Sequence, residues 1–93
     1  MIDVKVAVSH ALAFLGDMYK DDPVLDPRLE EVELSDDSSV WQITLSFMRK
    51  TPRTGAEAVL AGVLPPQYER QYKVFAVGVE NGEVRSMKIR AIA

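Results

Sequence analysis

Cysteine is absent from this chain. Disulfides, thiolate metal sites and cysteine nucleophiles are excluded together, and the absence fits a reducing compartment. Histidine occurs once, as His10. One imidazole without thiolates gives a zinc or copper ion no framework. As a lone base, His10 needs a carboxylate to orient it and a nucleophile beside it. It reads instead as a helix-surface or core-edge residue. No stretch approaches the ~20 apolar residues of a membrane span. The opening MIDVKVAVSHALAFLGDMYK has Asp3 before any lysine, and Lys5, Ser9 and His10 interrupt its apolar residues. A signal peptide is therefore not expected, and the default location is cytoplasmic. No G-x-S-x-G, H-E-x-x-H or kinase-like element occurs, nor a P-loop or Gly-rich fingerprint. The expectation is no catalytic residue, no cofactor and no metal site.

What is present is ordinary globular material. The chain has 93 residues and 10.4 kDa, with 47% apolar and 27% charged residues. That is a single domain over 1–93, able to bury roughly 60–65% of its unfolded surface in one core. Charge is unevenly placed. Residues 1–48 carry ten acids and three bases, a balance of −7, and residues 49–93 carry four acids and eight bases, a balance of +4. The net charge of −3 argues against non-specific nucleic-acid binding. The acids Asp21, Asp22, Asp26, Glu30, Glu31, Asp36 and Asp37 lack the alternation and central glycine of an EF-hand loop and read as solvated.

Residues 3–19 read as a helix. Val4, Ala7, Val8, Ala11, Leu15 and Met18 follow the i, i+3/i+4 rule, with Asp3 as N-cap and Asp22-Pro23 as the stop. The competing reading is a short strand to Val8, with Ser9 capping a helix from His10, because Ile2, Val4, Val6 and Val8 alternate and are β-branched. KDDPVLDPR (20–28) reads as a loop. LEEVELSDD follows as a strand with Val32 and Leu34 on one face, and Asp36 to Ser39 form a turn. VWQITLSFMR is the cleanest strand, with Trp41, Ile43, Leu45 and Phe47 inward and Gln42, Thr44 and Ser46 outward. One polar face implies an antiparallel sheet.

Residues 50–68 form a long connection rich in small apolar residues. Thr54 with Glu57 matches a capping box, which suggests a short helix over 55–61 ending at Gly62, and 50–66 is expected to be the most mobile part of the chain. Arg49, Lys50 and Arg53, beside Thr51, Thr54 and Gly55, have the chemistry to hold an anion but match no phosphate-binding spacing.

Residues 70–80 and 83–92 flank Asn81-Gly82, a strong hairpin signal. A two-residue turn sets Glu80 against Glu83 and groups Tyr72, Val74 and Ala76 with Met87, Ile89 and Ala91. A three-residue loop with a bulge sets Val79 against Glu83 and groups Phe75, Val77 and Val79 with Met87 and Ile89. The second unites the larger apolar set and separates like charges, so it is the expected register. Either way, strand 70–80 is apolar on both faces. One face meets the helix; the other needs cover from segment 50–68, a second copy or a partner.

The order α-β-β-β-β predicts an α+β fold: an N-terminal helix on a four-stranded antiparallel meander, with a long connection between strands 2 and 3. The helix with Gly16, then LEEVELSDDSSVWQITLSF, then YKVFAVGVENGEV resembles PepSY domains. In those, a helix precedes strands ending in a Y-x-V-x-V-D-x-x-T-G-E-V type hairpin. The layout covers roughly the whole chain, and the motif covers Tyr72 to Val84. Here Glu80-Asn81-Gly82-Glu83-Val84 keeps only the Gly-Glu-Val of that turn. The resemblance implies a cystatin-like α+β fold and a small binding or inhibitory module. PepSY domains lie outside the cytoplasm, whereas no export signal is evident here.

The expected role is a non-catalytic interaction module, forming a homodimer or binding one protein partner through the sheet face. The candidate interface is Tyr72 and Val74, with Arg85, Lys88 and Arg90 at its rim. The alternative is a small-ligand binder or simple enzyme with an NTF2-like or cystatin-like pocket between helix and sheet. That alternative requires inward polar residues, and the inward sets are almost wholly apolar. Nucleic-acid binding through the basic C-terminal hairpin is the least favoured reading, since Tyr72 and Phe75 are too few for base stacking.

Overall fold

Asp3 decides between helix and strand at the start of the chain. Its backbone is extended and its Oδ1 accepts a 2.9 Å hydrogen bond from the Val6 N–H, satisfying one of the free donors of a helix that begins at once. Helix α1 therefore spans Val4–Met18, and the short-strand alternative does not form. The structure, a computed structural model, describes residues 1–50 and 68–90. Strands β1 (Leu25–Leu34), β2 (Val40–Lys50), β3 (Tyr68–Gly78) and β4 (Val84–Ile89) follow. They form one sheet in the order β1-β2-β3-β4, every neighbour antiparallel. This is the expected helix on a four-stranded meander, with the long connection between β2 and β3. The expected helix at 55–61 and the expected mobility of 50–66 concern residues outside the described ones, apart from Lys50.

The core is one seam. Ala7, Ala11 and Leu15 pack on Ile43, Leu45 and Phe47 of β2 and Phe75 and Val77 of β3, all at most 1% exposed. Alanine at two successive turns lets the helix axis approach the sheet closely. Bulk comes from the flanks: Phe14 meets Phe75 edge-on with centroids 6.2 Å apart, and Tyr19 tilts against Phe47 at 5.9 Å.

Several expectations need correction. Strand β1 begins at Leu25, inside the stretch 20–28 expected to be loop. Pro27 is tolerated because β1 is an edge strand, where a missing N–H costs no ladder bond. The ladder slips between Leu25 and Arg28, with Asp26 at φ 50°, and again between Leu29 and Glu31. Trp41 is only half-buried, at the rim of the core, with its Nε1 donating to Ile2 O at 3.3 Å. Thr44 and Ser46 do face away from the helix, yet they are 3% and 0% exposed.

At the hairpin, the paired strands follow the expected register, with Phe75 opposite Met87. Phe75 and Val77 are buried in the core beneath the helix, where Met87 packs against it, and Val79 is buried beyond the ladder. Ile89 departs from the expectation. Level with Lys73, it lies beyond the helix's cover and is 82% exposed. The turn also differs from a three-residue loop. A shift after Ala76 sets Val77 opposite Val84, and Gly78 N–H donates to Glu83 O at 2.8 Å, closing a four-residue connection. Val79 leaves the ladder because its own groups bond elsewhere. Its N–H donates to Ser39 O (3.0 Å) and its carbonyl accepts from Ile2 N–H (2.8 Å). Asn81 Oδ1 accepts from Glu83 N–H at 2.9 Å, and Gly82 takes φ 72°.

Candidate interaction surface

Strand alternation divides the sheet into two faces. With Ile43, Leu45, Phe75 and Val77 on the helix, the intervening residues face the other way. The ladders align them in rows across all four strands: Glu31, Thr44, Val74 and Lys88 form one, and Glu33, Gln42, Ala76 and Ser86 the next. A third row runs from Arg28 through Ser46 and Tyr72 to Arg90, whose N–H donates to Tyr72 O at 2.9 Å. Arg85, the extra residue of the β4 bulge, lies over Gly78. A Cβ on Gly78 would fall 3.2 Å from the Arg85 guanidinium. Tyr72, Val74, Arg85, Lys88 and Arg90, the residues singled out from the sequence, are thus brought to one face.

Two arginines roof the centre of that face. Arg70 donates from Nη1 to Ser46 Oγ (2.7 Å) and from Nη2 to Asp26 Oδ2 (2.6 Å), while Ser46 Oγ donates to Glu30 Oε2 at 2.5 Å. Arg90 reaches across β3, donating from Nη1 to Thr44 Oγ1 at 3.0 Å, and pairs with Glu31 at 3.2 Å. These two chains of guanidinium, hydroxyl and carboxylate explain why Thr44 and Ser46 are buried on a face with no helix. Each buried hydroxyl has its partner, so no desolvation penalty of about 1–3 kcal/mol is left standing. Sequence reasoning missed this cover. It considered only other segments or other molecules, whereas Arg70 and Arg90 of the sheet itself close over Ser46 and Thr44.

The face is polar in the literal sense. Strand β1 carries Asp26, Glu30, Glu31 and Glu33 against Arg28, and residues 84–90 carry Arg85, Lys88 and Arg90. Asp26 is held by Arg28 (2.8 Å) and Arg70, and Glu31 by Arg90. Among the described residues, Glu33, Arg85 and Lys88 make no ion pair. Between the edges lie Tyr72, Val74 and Ala76, all half-buried.

Other sequence candidates are dispersed. His10 is at the helix surface, with Nδ1 2.6 Å from Gly82 O. Arg49 is held on the helix side, with its guanidinium 4.4 Å from the Tyr19 ring centroid and 3.0 Å from Asp22. Lys50 is exposed, and Thr51, Arg53, Thr54 and Gly55 lie outside the described residues. No group of three or more histidine or acidic residues able to hold a metal ion occurs among the described residues. Asp37 accepts from Ser39 Oγ (2.6 Å), Ser39 N–H (3.0 Å) and Ser35 Oγ (2.8 Å), bonds that lower its pKa from 3.8 to about 2. They order the β1–β2 turn.

Two of the described grooves flank the helix and two lie on the sheet away from it. One of about 440 Å³ runs between α1 and β1, lined by Val4, Val8, Leu29, Val32 and Trp41. A second, of about 580 Å³ at the far end of β3, includes Arg49, Arg70, Arg90 and Lys73, three of them already paired with carboxylates. No described helix is long and apolar enough to cross a membrane. No protein-family model, curated protein or solved structure matches the chain.

Proposed function

We propose that this chain is a non-catalytic interaction module of the cytoplasm, associating with a protein surface, its own or another's, through the sheet face opposite α1. One observation carries this reading. That face joins an acidic edge, a basic edge and a half-buried apolar centre of Tyr72, Val74 and Ala76. Charged rims around an apolar middle are the usual anatomy of a protein contact. The PepSY-like layout points to the same non-catalytic role.

The alternative, a pocket between helix and sheet, gains little support, because Phe14, Leu15, Phe47 and Phe75 fill that layer. The test is Val74→Glu, checked for an unchanged circular-dichroism spectrum. Sedimentation equilibrium of the wild type is expected to give a mass above 10.4 kDa that falls to one chain in the variant. A wild type that stays at one chain through the micromolar range removes the self-associating form of the proposal.

A further inference from the structure

Resting on that reading, we infer that the partner is a second copy of this chain, stacked sheet to sheet about a two-fold axis parallel to the strands, so that β1 of each copy covers β4 of the other. The sheet is a dipole across its width. Strand β1 holds four acids against Arg28, and the β4 region holds Arg85, Lys88 and Arg90. A two-fold axis along the strands, between β2 and β3, exchanges left and right. It lays Glu31 on Lys88 and Glu33 beside Arg85 and Lys88 along both rims, brings Arg28 level with Arg90 where each is already paired within its own chain, and sets Val74 and Tyr72 of β3 against β2 of the partner. A two-fold axis across the strands lays β1 on β1, acid on acid, and β4 on β4, base on base. Like charges disfavour each other in an interface, so the first arrangement, with two unpaired bases meeting an unpaired acid on each rim, is the more self-complementary. Aligned packing at about 10 Å is also the ordinary geometry of two stacked antiparallel sheets.

The uncompensated charges are in the places this arrangement needs. Arg70 and Arg90 already neutralise Asp26 and Glu31 within the chain. Glu33 on one edge and Arg85 and Lys88 on the other have no ion pair among the described residues. In the stacked pair, Glu33 comes level with Ser86 of the other copy, between the side chains of Arg85 and Lys88. An edge-to-edge pairing of two β1 strands has no such complement, because it would align acids on a strand that slips register twice. Rim charges also make the association fall with salt.

The experiment is a charge-reversal square on the full chain, read by sedimentation equilibrium at low ionic strength, with thermal melts confirming that each variant folds. Lys88→Glu alone and Glu33→Lys alone each set two like-charge pairs across the interface and are expected to weaken association about tenfold or more. The double variant is expected to recover it. So is an equimolar mixture of the two single variants, since each then meets its complement on both rims. If the wild type associates and neither reversal changes it, the stacked arrangement is overturned while self-association stands. If Lys88→Glu tightens association, base lies on base and the axis crosses the strands. A wild type that remains one chain removes this inference together with the self-associating form of the function.

Discussion

Gly82 holds φ 72°, and a Cβ there would lie 2.5 Å from the His10 ring. Two penalties therefore meet at one residue, a left-handed backbone and a blocked approach. Gly82→Ala is expected to destabilise the fold by about 1–3 kcal/mol in denaturant unfolding. Removing the ring as well, in His10→Ala/Gly82→Ala, is expected to cost less than the sum of the single changes, since the clash is relieved and only the backbone strain remains. Additivity within about 0.5 kcal/mol would show that the ring does not pack on the turn. Because Gly82 O accepts, His10 Nδ1 carries the proton in this contact. Asn81-Gly82 was legible as a turn from two letters. Its contact with a helix residue 72 positions away was not, because no local pattern encodes it. Asp37 is a second local device. With its carboxyl lowered from 3.8 to about 2 by the Ser39 and Ser35 bonds, its contribution to stability is full above about pH 4 and is lost as pH falls through about 2. A carboxyl titration by NMR is expected to show a midpoint near 2; one at 3.8 would mean the serine bonds do not form in solution.

Among the elements, β2 was legible because Trp41 to Phe47 alternate apolar and polar residues, and its eleven residues pair with β3 without a slip. Phe47, fully buried against Tyr19, is expected to cost about 3–5 kcal/mol on truncation to alanine. Trp41 has the same phase but sits half-exposed beside the α1–β1 groove, so Trp41→Ala is expected to cost less, about 2 kcal/mol. Equal losses in thermal unfolding would mean that the groove is closed over Trp41. Strand β1 was half legible. Pro27 and the two slips broke the alternation that marks a strand, so Leu25 and Asp26 looked like loop. The helix was legible from its spacing, and the rival strand was eliminated by Asp3, whose side chain had been named as the cap on chemistry alone.

For the whole molecule, sequence reasoning found the layer order; of the five candidate interface residues, alternation sets Tyr72, Val74, Lys88 and Arg90 on one face, and the β4 bulge brings Arg85 there. It did not see the arginine roof, because Arg90 meets Glu31 across 59 positions and Arg70 meets Asp26 across 44. Pairings of that reach depend on strand order, which becomes known only once the sheet is assembled. The sheet also has a pattern of its own. Its two central strands are regular, while both outer ones are bulged, β1 twice and β4 once. An unbroken outer strand presents a straight row of donors and acceptors on which another chain can crystallise as a further strand. Here Pro27, the left-handed Asp26 and the displaced Arg85 spoil that template at both sides. Growth in the plane of the sheet, the route to fibres, is thereby frustrated at both outer strands.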